Sequence, residues 1–336
     1  MNGWKSASCV KKLNKPILTC KDIPYDASLV FNAGVVKFKG KYVMVFRNDY
    51  GTTEELFGTG KRFAGTNLGV AFSDDGYNWN PMPQPWFQWK TDEIQRAYDP
   101  RLTVIDDELY ICMAIDTKHG IRGAVAKIID FDNPPQIISM SVPDNRNMVL
   151  FPERINGNYI RLERPMPVYF RDGEPTYGLF DFFDLWLSES PDLKYWGESR
   201  LVLDVDAVPF ANDKVGPGAP PIKTDKGWLM LFHAVERDND RGKNGWEQKW
   251  EKVYYTGIAL LDLNDPSKVI GMSKEPLIVS DLPYEFDGGF RTDVIFPGGM
   301  ILEDDGEVKI YYGAADTVEC VATANVNDLI DLCLQK

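Results

Sequence analysis

Positively charged side chains recur at the ends of apolar, strand-like segments of the sequence. A charged group in such surroundings needs a counter-ion or a ligand, because burying an unpaired charge is costly. Guanidinium groups bind phosphate oxygens through two parallel hydrogen bonds, so several together would form a site for an oxyanion. The candidates, from two neighbouring segments, are Arg146, Arg164, Lys214 and His233. Pairing with a local carboxylate is the alternative, since Glu153 and Glu163 each precede an arginine.

Asp99 is the candidate acid. It lies in the segment RAYDPRLTV, directly before a predicted strand, where the following proline favours an extended or turn conformation. An aspartate before proline more often forms a turn than acts as an acid. A catalytic role for Asp99 is therefore favoured only if its carboxyl faces the basic cluster. Further polar residues at the ends of these segments are Asn32, Arg47, Asp49, Arg101, Asp293 and Asp316.

Other catalytic chemistries find little support in the sequence. The two histidines, His119 and His233, lie far apart, and the five cysteines form no CxxC pair, so no metal site is predicted. The glycine-rich stretches GTGKRFAG and VGPGAP match neither a phosphate-binding loop nor a dinucleotide fingerprint. The nucleophile motif GxSxG does not occur.

Short strands are the elements that must position these residues. Five hairpin-like segments combine an apolar strand, a tight polar turn and a second apolar strand; they cover residues 29–47, 101–115, 148–165, 219–235 and 296–316. A weaker hairpin follows each one, so four strands recur five times, with a period of about 67 residues. Four antiparallel strands repeated radially form a propeller blade. The sequence therefore predicts an all-β, five-bladed β-propeller, with an irregular β-sandwich as the alternative and one helix near residues 325–333.

Length, charge and cysteine usage narrow the function. The 336 residues contain no linker-like segment, and we predict a single catalytic domain over residues 1–336. Lys plus Arg number 37 and Asp plus Glu 50, giving a net charge of −13, which disfavours nucleic-acid and anionic-membrane partners. No apolar run is long enough to span a bilayer, and the first residues lack the apolar region of a secretory signal. We expect reduced thiols and a cytoplasmic location.

Longer motifs carry a family resemblance over about residues 14–333. The segments YDPRLTVIDDELYICMAIDTKHG, NMVLFPERINGNYIRLERPMP, DKVGPGAPPIKTDKGWLMLFHAV and FPGGMILEDDGEVKIYYGAADT resemble, in this order, glycoside hydrolase family 130, the β-mannoside phosphorylases. The resemblance implies a five-bladed propeller. The shorter segments DTKHGIRGAVA, SVPDNRNMVLFPE, RLERPMPVY and GKNGWEQKW resemble the family's 4-O-β-D-mannosyl-D-glucose phosphorylase branch.

The resemblance also implies roles for individual residues. Asp99 matches the family's general acid. The positions that match its phosphate-binding set are Arg146, Arg164, Lys214 and His233. The positions that match mannose-binding residues are Asn32, Arg47 and Asp316, while Arg62 falls in the loop that contacts the glucose. Ala33 stands where some relatives have serine.

The reaction implied by the resemblance is reversible, inverting phosphorolysis of 4-O-β-D-mannosyl-D-glucose to α-D-mannose 1-phosphate and D-glucose. Inorganic phosphate is the co-substrate, and no cofactor is expected. One carboxyl suffices, because phosphate needs no general base, whereas an inverting hydrolase needs a second carboxylate. The family's acid is expected to act through the mannose 3-hydroxyl.

Several alternatives stay open from the sequence. Within the same fold they are a β-1,4-mannooligosaccharide phosphorylase and a β-mannosidase that uses water, although the complete phosphate set argues against the second. The alternatives that are not enzymes are a sugar-binding propeller and a protein-interaction scaffold. The resemblance further favours a homo-oligomer.

Overall fold

Strands account for nearly all of the regular structure in the computed structural model, which describes residues 3–166, 170–171, 174–175 and 183–335. Five antiparallel sheets follow one another along the chain, each with four principal strands. The first strands of successive sheets lie side by side, since β2 (Leu29–Phe38) contacts both β6 (Ile94–Ile105) and β21 (Ile295–Leu302). The prediction of an all-β, five-bladed β-propeller is confirmed.

The first half of the chain forms a short N-terminal strand and two blades. The N-terminal strand is β1 (Lys11–Lys12). The first blade contains β2 (Leu29–Phe38), β3 (Lys41–Tyr50), β4 (Gly65–Ser73) and β5 (Asn80–Pro81). The second blade contains β6 (Ile94–Ile105), β7 (Glu108–Thr117), β8 (Gly120–Ile128) and β9 (Gln136–Met140).

The third blade carries an extra hairpin. Its first strands are β10 (Asn145–Leu150) and β11 (Tyr159–Pro165), followed by the separate hairpin of β12 (Phe170–Arg171) and β13 (Glu174–Pro175). The blade then continues with β14 (Leu185–Ser190) and β15 (Gly197–Leu203).

The last two blades complete the propeller. The fourth contains β16 (Lys214–Pro217), β17 (Ile222–Lys223), β18 (Trp228–Arg237), β19 (Lys252–Leu261) and β20 (Val269–Met272). The fifth contains β21 (Ile295–Leu302), β22 (Glu307–Ala314) and β23 (Val318–Asn325). Both β16 and β17 pair with β18. They are two short strands and not one continuous strand, because the prolines between them lack the N–H groups that continuous pairing would use.

Helices are few and short. They are α1 (Glu54–Phe57), α2 (Val326–Leu334) and three 3₁₀ turns, Cys20–Asp22, Val205–Ala207 and Pro283–Glu285. The helix predicted near residues 325–333 is confirmed by α2. Among the described helices, none is long and apolar enough to cross a membrane.

The N-terminal strand closes the ring of blades. β1 supplies the fourth strand of the fifth blade, with Lys12 opposite Ala322 of β23. The ammonium group of Lys12 is buried and lies 2.6 Å from a carboxylate oxygen of Asp281 and 2.8 Å from one of Glu285. The first and last parts of the chain are thus joined by backbone pairing of β1 with β23 and by the ion pairs of Lys12 with Asp281 and Glu285.

Apolar clusters lie between neighbouring blades and fix their relative positions. Between the third and fourth blades, Phe151 meets Trp228 edge to face, with ring centres 5.1 Å apart. Both side chains are fully buried. Because each blade packs on its neighbours in this way, the inner strand ends form a rigid frame for polar side chains.

Candidate active site

β-Bulges in the first strands of three blades direct polar side chains to one end of the propeller. In β2, β6 and β10 the pairing with the next strand contains one extra residue. At each bulge one residue has a positive φ: Asn32 at +52°, Asp99 at +50° and Asn147 at +59°. Asn and Asp tolerate this conformation better than other residues with a side chain, and a bulge re-aims the side chain it carries.

Asp99 lies inside β6 and not before a strand, so this detail of the sequence prediction is wrong. The reason is that the bulge accommodates Pro100, whose missing N–H would interrupt a regular ladder. The carboxyl is thereby turned away from the sheet.

A cavity of about 640 Å³ opens at these bulges. This volume suits a ligand of disaccharide size. Seven of the nine predicted site residues line it: Asn32, Arg47, Arg62, Asp99, Arg146, Arg164 and Asp316. The other two lie behind its wall. His233 contacts Arg164, and the Lys214 ammonium lies 5.3 Å from the ring centre of Tyr254, which lines the cavity.

The Asp99 carboxylate is held through one of its oxygens. Its Oδ1 accepts hydrogen bonds from Asn32 Nδ2 at 3.0 Å and from Arg47 Nη1 at 3.2 Å. Among the described residues no side chain donates to Oδ2, so this oxygen can carry a proton. Burial would raise the pKa of Asp99, but Arg47 and Arg101 outweigh it and hold the pKa below its usual value.

Arg47 is neutralised before any ligand arrives. Its guanidinium forms two hydrogen bonds with Asp49, at 2.7 and 3.1 Å, and Asp49 also accepts from Thr66 at 2.6 Å. The group lies between two aromatic rings, 4.6 Å from the centre of Phe31 and 5.0 Å from that of Tyr98. Arg47 is therefore a fixed hydrogen-bond donor with its charge balanced.

A second neutralised cation stands beside Asp316. Arg291 Nη1 donates to Asp316 at 3.3 Å, Nη2 donates to Glu247 at 2.9 Å, and the guanidinium lies 4.3 Å from the ring centre of Trp250. Burial raises the pKa of Asp316 even though Arg291 and Arg47 oppose the shift. Arg291, Glu247 and Trp250 were not predicted as site residues. Glu247 and Trp250 lie in the segment GKNGWEQKW, whose residues were given no role, and Arg291 lies in none of the quoted motifs.

Arg146 and Arg164 have no carboxylate partner among the described residues. Arg146 Nη1 donates to the Tyr98 hydroxyl at 3.2 Å, and Arg164 Nη1 lies 2.7 Å from His233 Nε2. The Nε atoms of both arginines are buried without a hydrogen-bond partner in this part of the chain. The alternative of local pairing is wrong, because Glu163 pairs with Arg161 instead, at 2.7 Å.

Glu153, the other carboxylate considered for local pairing, pairs with Lys223. It is drawn away from its sequence neighbour Arg154, which lies 3.8 Å from Asp106. Adjacency in sequence thus fails to predict either ion pair. Glu163 and Arg164 are neighbours in β11, where successive side chains point to opposite faces. Glu153 and Arg154 lie in the connection between β10 and β11, and each finds its partner elsewhere in the chain.

Arg164 and Lys214 are less basic than usual, because burial and neighbouring cations disfavour their charged forms. Burial and the neighbouring Arg146 lower the pKa of Arg164 to about 9. Burial and Arg164 lower the pKa of Lys214 to about 7, although Asp213 lies 3.5 Å from its ammonium. Such a cluster binds an anion strongly, because an anion removes this repulsion.

His233 is neutral in this arrangement. Burial, Arg164 and Lys214 hold its pKa well below its usual value. Since a guanidinium can only donate, His233 Nε2 must accept from Arg164, which places the ring proton on Nδ1. His233 therefore adds no positive charge to the cluster and orients the guanidinium of Arg164.

Tyr98 precedes Asp99 in the chain and contacts the cationic cluster through Arg146. It was not predicted as a site residue. Its hydroxyl accepts from Arg146 and donates to Asp116 at 2.8 Å. Two other strand-end residues lie outside the cavity lining. Arg101 is buried and donates to the carbonyl of Gly218 at 2.6 Å, and Asp293 pairs with Arg241.

Arg62 stands at the cavity mouth. Its side chain is exposed, and the guanidinium carbon lies 5.5 Å from the ring centre of Phe57 in α1. Within the described ranges, no group of three or more His, Cys, Asp and Glu side chains is placed to hold a metal ion.

The chain is similar to several characterised phosphorylases. It is 33% identical over 329 residues to the β-1,4-mannooligosaccharide phosphorylase of Ruminococcus albus, covering 94% of this chain and 88% of that protein. It is 31% identical over 330 residues to the 1,2-β-oligomannan phosphorylase of Thermoanaerobacter sp. (strain X514), covering 95% and 98%. Identity to the 4-O-β-D-mannosyl-D-glucose phosphorylase of Bacteroides fragilis is lower, 27% over 327 residues, covering 90% and 74%.

A solved structure and a family model agree with these similarities. The structure of β-1,2-mannobiose phosphorylase from Listeria innocua, in complex with β-1,2-mannobiose, superposes with a TM-score of 0.80 at 24% identity and covers 97% of this chain and 99% of that one. This likeness supports the fold. The model of the glycoside hydrolase 130 family, described as β-1,4-mannooligosaccharide phosphorylase, matches residues 11–335. The chain belongs to glycoside hydrolase family 130.

Proposed function

We propose that the protein catalyses the reversible phosphorolysis of a β-1,4-mannoside, with inversion at the anomeric carbon. 4-O-β-D-mannosyl-D-glucose is the first substrate we propose, giving α-D-mannose 1-phosphate and D-glucose. Asp99 is the general acid. The phosphate site consists of Arg146, Arg164, Lys214 and His233, and the mannose site consists of Asn32, Arg47 and Asp316.

One observation carries this proposal: Arg164 is fully buried and Arg146 half-buried, both face the cavity, and neither has a carboxylate partner in the described structure. A neutral sugar or a water molecule would leave both charges uncompensated, which is costly at a buried position. Phosphate would supply the missing charge and accept their hydrogen bonds in pairs. The arrangement therefore favours phosphorolysis over hydrolysis.

The acid chemistry requires a proton on Asp99. In the proposed step, phosphate oxygen forms a bond to mannose C1 while the bond from C1 to the glucose oxygen breaks. The leaving oxygen receives the proton from Asp99, through the mannose 3-hydroxyl. Oδ2 is the oxygen that supplies it, because Asn32 and Arg47 both donate to Oδ1.

Phosphate binding would prepare the acid for this role. Positive groups, Arg146 among them, hold the pKa of Asp99 below its usual value in the free protein. A phosphate dianion at Arg146 offsets that charge and raises the pKa of Asp99, so the acid gains its proton more readily when the nucleophile is present. The order of events then favours phosphate in place before bond cleavage.

A β-1,4-mannooligosaccharide phosphorylase is the second candidate. Its support is the higher identity to the Ruminococcus albus protein and the description of the family model that matches the chain. Both candidates share the mannose and phosphate sites and differ only in the sugar that leaves.

Product analysis with and without phosphate tests the proposal. Each of 4-O-β-D-mannosyl-D-glucose and β-1,4-mannobiose is incubated with the protein, and products are followed by NMR. We expect α-mannose 1-phosphate only when phosphate is present, and the substrate with the higher kcat/KM identifies the leaving sugar. Free mannose released at an equal rate without phosphate would establish a hydrolase and overturn the proposal.

A further inference from the structure

Asp116 lies one contact behind the proposed phosphate site. It belongs to β7, directly opposite Arg96 of β6, and stands behind two residues of the cavity wall, Arg96 and Tyr98. Its carboxylate binds both of them, since Oδ2 accepts from Arg96 Nε at 2.7 Å and Oδ1 accepts from the Tyr98 hydroxyl at 2.8 Å. The proposed reaction has so far given these three side chains no part.

Tyr98 connects Asp116 to Arg146. A guanidinium only donates, so the Tyr98 oxygen must accept from Arg146 Nη1, at 3.2 Å, and the hydroxyl proton must point to Asp116. Burial raises the pKa of Tyr98 although Arg146 opposes the shift, so the hydroxyl keeps this proton. The directions of both hydrogen bonds are therefore fixed, and hydrogen bonds in such a chain strengthen one another.

The ring of Tyr98 is held as firmly as its hydroxyl. The guanidinium carbons of Arg96 and Arg47 lie 4.6 and 5.0 Å from the ring centre, and the side chain is buried. A change of rotamer would break both of these cation–π contacts. The hydroxyl therefore has one position in the cavity wall, and from there it sets the direction of the Arg146 guanidinium.

Asp116 also brings a negative charge towards Arg146. The carboxylate balances Arg96 by direct contact and Arg146 in part, through the single hydroxyl between them. The same charge repels an anion that binds at Arg146, and at a half-buried position this repulsion is only partly screened by water. Asp116 thus has two opposite effects on an anion: it orients one of the groups that would bind it, and it weakens the attraction.

We propose that Asp116, acting through the Tyr98 hydroxyl, is a positioning residue of the phosphate site that fixes the direction of Arg146 and limits the affinity for phosphate. This inference rests on the proposed function, because it concerns the phosphate site of the same reaction. A limited affinity suits a reversible phosphorolysis, since equally tight binding of the phosphate group throughout the reaction would not speed the chemical step and would delay the release of mannose 1-phosphate.

Two variants separate the charge of Asp116 from its positioning role. Asp116→Asn removes the charge but keeps an oxygen that accepts from Tyr98. The amide nitrogen then faces Arg96, whose side chain is 37% exposed and can turn to solvent. Tyr98→Phe removes the hydroxyl that directs Arg146 and keeps the ring in place.

Glu189→Gln is the matched control. Glu189 has a side chain that is 18% exposed and pairs with Arg200, much as the 19% exposed side chain of Asp116 pairs with its own arginine. Glu189 lies opposite Ile160 near the start of β11, whereas Arg164 lies near the end of that strand. The control therefore removes one negative charge from an ion pair of similar exposure away from the cavity.

The readouts are the KM values for phosphate and for the preferred of the two proposed disaccharides, together with sulfate binding by calorimetry. Asp116→Asn should bind both anions about three- to tenfold more tightly, because a repelling charge is gone, and should keep the native KM for the disaccharide. Tyr98→Phe should bind both anions roughly tenfold more weakly, because Arg146 loses the hydrogen bond that orients it. Glu189→Gln should match the native protein.

A merely structural role for Asp116 predicts weaker or unchanged anion binding in Asp116→Asn, and either result would overturn the inference. Unchanged anion binding in Tyr98→Phe would overturn it as well, and this variant decides alone if thermal unfolding shows that Asp116→Asn is not folded. Action through Arg96 alone is tested in the Arg96→Gln background. There Asp116→Asn should still tighten sulfate binding, and loss of the effect would count against the link to Arg146.

Sulfate binding needs no turnover, so failure of the proposed function is recognised separately. If no substrate yields mannose 1-phosphate but Asp116→Asn binds sulfate more tightly than the native protein, the proposed function fails and the role of Asp116 at an anion site stands. If phosphorolysis is observed and the two proteins bind sulfate equally well, the proposed function stands and this inference fails.

Discussion

Two groups of buried or half-buried arginines flank Asp99, and they differ in one respect. On one flank, which we call the sugar side, Arg47 and Arg291 are each paired with carboxylates. On the other, the phosphate side, Arg146 and Arg164 contact a hydroxyl, a neutral imidazole and the thioether of Met166, but no carboxylate among the described residues. Under the proposed function, arginine serves two purposes here: as a neutralised donor for hydroxyl groups and as an uncompensated charge for an anion.

The pKa values of the arginines on the two flanks differ accordingly. Burial opposes the charge of Arg47, but Asp49 and Asp99 outweigh it, so its pKa is raised above the ordinary value. Burial also opposes the charge of Arg164, and there the neighbouring Arg146 adds to the effect, so its pKa falls to about 9. Burying a charge without a partner is costly, and an anionic ligand would relieve this cost, so we expect the phosphate side to prefer anions.

Asp99→Asn is expected to have the largest effect, because both flanks act through this carboxyl. The amide oxygen can still accept from Asn32 and Arg47, so the geometry is kept while the proton donor is lost. We expect kcat on 4-O-β-D-mannosyl-D-glucose to fall about 10²- to 10⁴-fold, with a nearly unchanged affinity for this disaccharide.

A substrate with a good leaving group provides the control for this variant. The 4-nitrophenyl β-mannoside needs no proton on its leaving oxygen, so Asp99→Asn should retain a much larger share of the native rate on it. Equal losses on both substrates would contradict the role of Asp99 as an acid and would point to a general disturbance of the site.

Single arginine variants on the two flanks test the comparison directly. Arg164→Ala should raise the KM for phosphate about ten- to hundredfold, since a charge-assisted contact is lost, and leave the KM for the disaccharide nearly unchanged. Arg291→Ala should do the reverse, because it frees Asp316 and Glu247 on the sugar side.

Steady-state kinetics with each substrate varied in turn distinguish these outcomes, and thermal unfolding shows whether both variants are folded. The assignment of separate flanks is refuted if both variants alter the same Michaelis constant. It is also refuted if Arg164→Ala keeps native phosphate kinetics.

The sequence alone predicted the five-blade repeat because hairpins have a local signal, in the form of apolar alternation and tight turns. It also indicated several charged residues of the cavity lining, since polar residues at strand ends are rare in an apolar sheet. It could not predict that Arg291 belongs to the sugar side, because Arg291 precedes β21 in a loop and meets Asp316 only through the turn after β22. Long-range ion pairs of this kind have no local signature.

The bulges show where a signal exists and was not used. Asn147 follows Arg146 and Asp99 follows Tyr98, and each carries a short polar side chain suited to a positive φ. Glu319 shows the opposite case. Its carboxyl is fully buried and accepts from the backbone N–H of Ala33 at 3.0 Å, supporting the bulge that carries Asn32, yet nothing in ECVATANV distinguishes it from a surface glutamate.

The pH dependence of anion binding gives the smallest and most specific test of the phosphate side. Burial and Arg164 lower the pKa of Lys214 to about 7, against the opposing effect of Asp213, and Arg146 and Lys252 also face it. Its ammonium therefore loses its proton as the pH rises through about 7, and the free protein then binds anions more weakly.

Sulfate is the appropriate probe, because it stays a dianion over this range whereas phosphate itself titrates. We compare the inhibition constant of sulfate at one pH unit below the pKa of Lys214 with its value at a pH well above that pKa. We expect the constant to rise roughly tenfold between the two, because one charge-assisted contact is lost. Lys214→Arg keeps its charge throughout and should remove most of this rise. A pH profile identical in the two proteins would show that Lys214 does not set the charge of the phosphate side, and the uncompensated charge would then belong to the two arginines alone.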